Sequence, residues 1–321
     1  MTKNKILVVM IPCFNEEKTL ATVINAIPKK IPRISKVKIL VINDGSSDDS
    51  VKIAKKLKVH IFSHPINRGL GQTFRDGIEK SLRLGADIIV NIDGDMQFNP
   101  KDITKLIKPI IEDKYNFVTA TRYKKYLKYN LNGRGIKNFG NKFFAWLINK
   151  ITGSNYTDVS CGFRAYSRKA AMKLQLFGHF TYTHETFLDL IHKGFIAIEV
   201  PIKVRPKRQS GESRISKNLY KYGYSAIKII VRGFRDHQPL RFFGMLSVII
   251  TSIGVLFGSF LTIHWIITES LTPYKSFGFI GGFMVGVGFL MFILALLADM
   301  LGRIKDTQEE VLYQLRKNNF K

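Results

Sequence analysis

The chain has 321 residues, with 50 Lys and Arg against 24 Asp and Glu, a formal net charge of +26. That surplus points to a polyanionic partner: nucleic acid, anionic lipid or a phosphate-rich substrate. Two cysteines, Cys13 and Cys161, exclude a disulfide framework and a cysteine metal cluster, and read as reduced residues of a cytosolic domain.

Taken in order, Met1-Thr2-Lys3-Asn4-Lys5 leads straight into an apolar run of strand length without a cleavage-like site, so no signal peptide is expected. Ile6–Ile11 reads as a buried strand, followed by the loop Pro12–Glu17 and a helix over Thr19–Ile27. Val37–Asn43 is a second strand, and Asp44-Gly45-Ser46-Ser47-Asp48-Asp49 turns into a helix with Val51, Ala54 and Leu57 on its apolar face. Val59–Ser63, Ile88–Asp93 and Phe117–Thr121 read as further strands, with helices over Gly71–Leu84 and Ile103–Glu112 between them. Alternation at this spacing predicts a parallel sheet with helices on both faces.

Mean hydropathy is close to zero, yet the chain is sharply divided. Up to Gln238 no apolar run reaches spanning length, whereas 242–267 and 277–300 are almost free of charge and rich in glycine. Each can cross a hydrocarbon core of roughly 30 Å. The short linker Thr268–Ser276 makes the pair a hairpin over 242–301. Arg232, Arg235 and Arg241 precede it, and Arg303, Lys305, Arg316 and Lys317 follow, which places both flanks in the cytoplasm. The expected organisation is a catalytic domain over 1–213, a juxtamembrane amphipathic helix over 214–241, the hairpin, and a basic tail over 302–321.

The loops Pro12–Glu17, Asp44–Asp49 and Asp93–Gln97 all follow strand ends, the edge at which open α/β sheets bind ligands. Asp93 and Asp95, one residue apart, can face one hard cation, and Gly94 lets a ligand approach the backbone. Neither G-x-G-x-x-G nor G-x-x-x-x-G-K-[ST] occurs, so no glycine loop of those kinds holds phosphate. Asn67-Arg68-Gly69-Leu70-Gly71, before a helix start, suits a diphosphate. Arg134–Trp146 has helical spacing, with Ile136, Phe139, Phe143, Phe144 and Leu147 on one side and Arg134, Lys137, Lys142 and Lys150 toward the flanks. A basic aromatic helix of this kind is a membrane-surface signature, and Lys217–Arg235 repeats it before the first span.

The motifs Pro12-Cys13-Phe14-Asn15-Glu16-Glu17, Val41-Ile42-Asn43-Asp44-Gly45-Ser46-Ser47-Asp48, Asn67-Arg68-Gly69 and Asp93-Gly94-Asp95-Met96-Gln97 occur in the order seen in family 2 glycosyltransferases. Asp158–Arg164, Glu199-Val200-Pro201-Ile202 and Arg208–Ser213 resemble the dolichol-phosphate mannosyltransferase branch, and the hairpin resembles its subset with two C-terminal transmembrane helices. The resemblance covers roughly Ile6 to Ser213. It implies a GT-A-type nucleotide-sugar-binding fold, Rossmann-like with a mostly parallel sheet.

It further implies that Pro12, Phe14, Glu16 and Asp44 meet the nucleoside, with Arg68, Gly69 and Gly94 on the donor side. Asp93, Asp95 and Gln97 would hold Mg2+ or Mn2+ on the donor diphosphate. Arg122, Arg134, Asn138, Arg208 and Ser213 are implied to hold an acceptor phosphate, and Asp93, Asp95, Arg122, Arg134 and Arg208 form the catalytic set. His184 and Glu185 stand where other members keep a base; here they orient the sugar, or His184 is a core residue. The resulting expectation is an inverting transfer of a sugar from a nucleotide sugar to a polyprenyl phosphate at the cytoplasmic membrane face. Transfer to another lipid or a polysaccharide, and a catalytically inactive tethered scaffold, stay open. So does homo-oligomerisation through the transmembrane helices. No ribonucleoprotein or helix-turn-helix signature occurs, and no nucleic-acid partner is expected.

Overall fold

The computed structural model describes residues 5–123, 135–178, 182–205 and 219–320, with the side chains of 135–138 and 219–222 left out. It divides into two compact units, Met1–Ile230 with Tyr313–Lys321, and Val231–Leu312. The first unit begins with β1 (Lys5–Cys13), α1 (Leu20–Ala26), β2 (Ile34–Asn43), α2 (Ser50–Lys56), β3 (His60–Ser63), α3 (Leu70–Arg83) and β4 (Ile88–Asn91). It continues with α4 (Ile103–Ile111), β5 (Phe117–Thr121), α5 (Gly135–Thr152), β6 (Arg164–Ser167), α6 (Arg168–Lys173), α7 (Thr183–His192) and β7 (Ala197–Pro201). The sheet runs β3-β2-β1-β4-β6-β5-β7.

Leu7–Ile11 of β1 and all of β4 and β5 are buried, because helices on both faces leave these strands no exposed side. One face packs Val8, Met10, Phe74, Phe144 and Phe187; the other packs Leu7, Val9, Leu20, Ile24 and Ile107. Phe74 of α3 stacks flat on Tyr182, ring centroids 3.8 Å apart, and burial of each such ring contributes roughly 1.5–3 kcal/mol.

The sheet is mixed, not wholly parallel. β6 runs antiparallel between β4 and β5, with Asn91 opposite Arg164 and Thr119 opposite Arg164. At four residues opening on a buried arginine, β6 has no periodicity by which to recognise it in the sequence. Its reversal has a consequence: the loop before β6, residues 158–163, reaches the same sheet edge as the loops after β1, β2 and β4.

α8 (Leu219–His237), α9 (Pro239–Thr268) and α10 (Lys275–Asn319) complete the chain. α9 and α10 are long and apolar enough to cross a membrane, and they contain the expected spans. Their most apolar windows are only 11% and 17% buried, unlike those of core helices. From residue 302 the expected tail continues α10 as far as Asn319, and its residues from Tyr313 onward belong to the first unit. There Arg316 Nη1 donates to the carbonyls of Met172 (2.8 Å) and Leu174 (3.0 Å), and Tyr313 and Phe320 lie against the core.

Within the second unit α9 and α10 meet along small residues spaced by seven: Ser247 and Gly254 on one, Gly281, Gly288 and Ala295 on the other. Ser247 Oγ donates to the Gly288 carbonyl at 2.7 Å. A Cβ on Gly288 would collide with Thr251 Oγ1 and stand 3.1 Å from the Thr251 amide nitrogen, whereas one on Gly286 would meet nothing within 4 Å. Gly288→Ala is therefore expected to destabilise the hairpin by about 1–3 kcal/mol through overpacking. Thermal unfolding in detergent reads this, and Gly286→Ala should leave the transition in place.

Candidate active site

The carboxyl edge of the sheet gathers the acidic loops by direct lacing. The Asn15 amide donates to Ser46 Oγ (3.0 Å), the Glu16 amide to Ser50 Oγ (2.9 Å), and the Ser47 amide to Asn15 Oδ1 (2.8 Å). The loop carrying Pro12, Phe14 and Glu16 is thus sewn to the one carrying Asp44. Gly45 adopts φ +72°, and a Cβ there would stand 2.6 Å from the Ile66 carbonyl carbon. A side chain at that position would push away the turn bearing Arg68 and Gly69. The Glu16 side chain lies beside Gly94, whose Cβ would meet it at ordinary contact distance, 3.6 Å.

Asp44 is buried, and its carboxylate accepts from the Arg68 amide (2.8 Å) and the Gly69 amide (3.0 Å). Its third partner is His64, whose Nδ1 lies 2.8 Å from Asp44 Oδ1, while Nε2 lies 2.8 Å from Asp76 Oδ2. Neither His64 nor Asp76 figured among the expected site residues. The signal is in the sequence: His64 directly follows the last residue of β3, and so stands at the same edge as the loops after β1, β2 and β4. The Arg68 side chain is exposed there.

Asp93 is partly exposed and Asp95 buried, and Asp95 Oδ1 accepts from the Gln97 amide at 3.0 Å. A Cβ on Gly162 would stand 3.3 Å from Asp93 Oδ2 and 3.0 Å from Tyr182 Oη, so glycine keeps the space beside that carboxylate open. Among the described residues no three His, Cys, Asp or Glu side chains gather as a metal cage. Two carboxylates and an amide at an open edge fit a hard divalent ion that takes its remaining oxygens from a phosphate ligand. The 93–97 loop is also tied to the chain beyond β7, where the Arg205 amide donates to the Gln97 carbonyl at 2.9 Å.

Arg122, at the end of β5, faces inward. Its Nε donates to Asp158 Oδ2 (2.7 Å), and its Nη2 to Asp158 Oδ1 (2.8 Å) and Ser160 Oγ (2.7 Å). Burial by itself would raise the Asp158 carboxyl, but the Arg122 guanidinium outweighs it and holds the group below the usual carboxylate range. Much of the guanidinium fork is therefore engaged within the protein, anchoring the 158–160 loop. Glu199 of β7 supports that loop from below, accepting from the Thr157 and Asp158 amides, both at 2.8 Å.

Arg164 is fully buried and donates to the carbonyls of Cys161 (2.7 Å), Thr183 (2.8 Å) and Val159 (2.9 Å), so it is structural. His184 is likewise enclosed, and burial followed by the nearby Arg164 charge lowers it to about 3, which leaves it neutral. Glu185 accepts from the amides of Phe177 (2.7 Å) and Gly178 (3.0 Å). Cys13 and Cys161 are free and buried, and burial pushes their thiols up to about 11 and about 12.

The expected acceptor residues Arg134, Arg208 and Ser213 lie outside the described residues. So does the side chain of Asn138, whose backbone belongs to α5. The apolar positions of α5 divide between two faces instead of sharing one. Phe144, Ala145 and Ile148 enter the core, whereas Phe139, Phe143 and Trp146 are exposed beside Lys142 and Lys150. The Lys150 ammonium sits 5.3 Å from the Trp146 ring centroid.

Residues 8–175 match the family model for glycosyl transferase family 2, and the chain belongs to that family. It is similar to the UDP-N-acetylglucosamine--dolichyl-phosphate N-acetylglucosaminyltransferase of Methanococcus voltae, 33% identical over 220 residues, covering 62% of this chain and 86% of that protein. It is also similar to the undecaprenyl-phosphate 4-deoxy-4-formamido-L-arabinose transferase of Shewanella sediminis, 27% identical over 313 residues, covering 92% of this chain and 87% of that protein. Among solved structures, glucosyl-3-phosphoglycerate synthase from Mycobacterium tuberculosis, in complex with Mn2+, UDP-glucose and phosphoglyceric acid, superposes with a TM-score of 0.57 at 19% identity. That match covers 72% of this chain and 80% of that one. This likeness shows the fold, the GT-A type.

Removing Asp158 would leave the largely buried Arg122 without its counter-ion. Asp158→Ala should destabilise the first unit by about 3–5 kcal/mol, as loss of one partner of a buried pair does. Denaturant unfolding at neutral pH checks this. Because the Asp158 pKa is depressed in the fold, its contribution is complete above the unfolded carboxylate range. It is lost as pH falls through the folded value, so wild type and variant should converge on acidification.

Proposed function

We propose that this family 2 glycosyltransferase moves a sugar from a nucleotide sugar to a polyprenyl phosphate at the cytoplasmic face of a membrane, with inversion at the sugar carbon. One observation carries the reading: a single chain joins a carboxylate-lined GT-A sheet edge to two helices long and apolar enough to cross a bilayer. A water-soluble donor and a lipid acceptor are the substrates that such a chain can bring together. Two relatives whose names specify dolichyl-phosphate and undecaprenyl-phosphate support it.

In this reading the loop with Pro12, Phe14 and Glu16 and the Asp44 carboxylate receive the nucleoside, while Arg68 and Gly69 meet the diphosphate. A bound Mg2+ or Mn2+ would be held by Asp93, Asp95 and Gln97, and would neutralise charge on the departing nucleoside diphosphate. A phosphate monoester is already anionic at neutral pH and attacks without a general base. The site agrees: His184 is enclosed and neutral, and Glu185 is engaged by two backbone amides. Arg134 and Arg208, with Asn138 and Ser213, supply the acceptor-phosphate contacts, and Arg122 fixes the 158–160 loop. The exposed aromatic and lysine face of α5 suits the interfacial layer of an anionic bilayer.

Membranes carrying the protein, incubated with UDP- and GDP-sugars and polyprenyl phosphate, should yield one glycolipid identifiable by mass. Asp95→Asn, and chelator on wild type, should abolish its formation without unfolding the protein. Full turnover in chelator would overturn the metal assignment. In this reading both ends of the hairpin, with their basic flanks, lie on the cytoplasmic side. A cysteine introduced within 270–276 should label from outside sealed cells, and one within 303–317 should not. Outside labelling at 303–317 would contradict the hairpin.

A further inference from the structure

The nucleoside carboxylate does not stand alone. His64 bridges Asp44 and Asp76 with its two ring nitrogens, each 2.8 Å from a carboxylate oxygen. Each ring nitrogen thus stands within hydrogen-bond distance of a carboxylate oxygen, and the imidazole is held from both sides. His64 is 4% exposed, Asp44 likewise 4%, and the Phe62 ring meets the imidazole edge-on at 5.5 Å. Asp76 is fixed in turn from its own helix, where Gln72 Nε2 lies 2.9 Å and 3.0 Å from its two oxygens. Burying such polar groups carries a desolvation penalty, so the network by itself is weak evidence for stability. Its direct geometric consequence is the fixed orientation of one carboxylate, held by His64 and two backbone amides.

The geometry points to His64 and Asp76 as positioning residues for the donor site, fixing the Asp44 carboxylate and, through it, the Arg68 and Gly69 amides. This rests on the reading of Asp44 as the nucleoside contact. Asp44 Oδ1 is shared between His64 and the Arg68 amide, and Oδ2 is met by the Gly69 amide. The two donors on Oδ1 set the carboxylate torsion, and hence the direction in which Oδ2 faces a base or ribose. Asp76 lies on α3 and reaches Asp44 through His64, so its influence on the nucleotide is indirect.

The test uses the full-length chain in detergent, with UDP and GDP in turn, each with Mn2+, in binding calorimetry. Taking the nucleotide that wild type binds more tightly, His64→Ala should weaken it about tenfold, the scale of one lost charge-assisted hydrogen bond, and Asp76→Asn by about three- to tenfold. The double variant should bind no more weakly than His64→Ala alone, since Asp76 acts through the ring. In the glycolipid assay the donor KM should rise and the acceptor KM stay unchanged. Should His64→Ala fail to fold, His64→Gln takes its place in the same cycle. Wild-type affinity in Asp76→Asn, or additive losses in the double variant, would overturn the positioning role and leave the donor site standing. Failure of wild type to bind either nucleotide would remove the donor site itself, and this inference with it.

Discussion

Carboxylates crowded at one edge of a sheet repel one another, and each buried one must be met by donors fixed elsewhere in the chain. That constraint organises the molecule. Asp158 is answered by Arg122, Asp44 by His64 and two amides, and Glu199 by the amides of Thr157 and Asp158. Arg164 brings a buried cation whose hydrogen bonds go to backbone carbonyls, and so ties the 158–163 loop to the start of α7. Asp93, at the open edge, is partly exposed.

The reversed strand β6 is what makes this compensation reachable. A parallel strand delivers the loop that follows it to the carboxyl edge, whereas an antiparallel one delivers the loop before it. Residues 158–163 therefore arrive beside Asp93 although they precede their strand, and Gly162 can border the Asp93 carboxylate. The same loop receives Arg122 from β5 and Glu199 from β7. Two strands on the far side of the sheet thus contribute to a site built mainly on β1, β2 and β4.

The chemistry that emerges favours an acceptor that brings its own charge. His184 lies in a fully buried position against Phe144, where a proton would be costly to hold. Glu185 is tied to a turn. A site so arranged has no need to activate a hydroxyl if the nucleophile is a phosphate oxygen. The exposed aromatic and lysine face of α5 would suit the same substrate class, since a lipid acceptor is met at a bilayer surface and not in bulk water.

Much of this was legible in the sequence. Apolar runs alternating with helical periods gave the first five strands, the acidic loops after them marked the edge, and two uncharged stretches marked the apolar helices. Local chemistry is enough for these, because strand periodicity, loop composition and span length are properties of adjacent residues. The tertiary structure alone decided that Arg122 faces Asp158, that His64 links Asp44 to Asp76, and that the aromatic residues of α5 divide between core and surface. These depend on partners 36, 20 and 12 residues away, or on which face of a helix a neighbour covers. Nor could β6 be read locally: four residues opening on a buried arginine become a strand only because β4 and β5 offer hydrogen-bonding edges on either side.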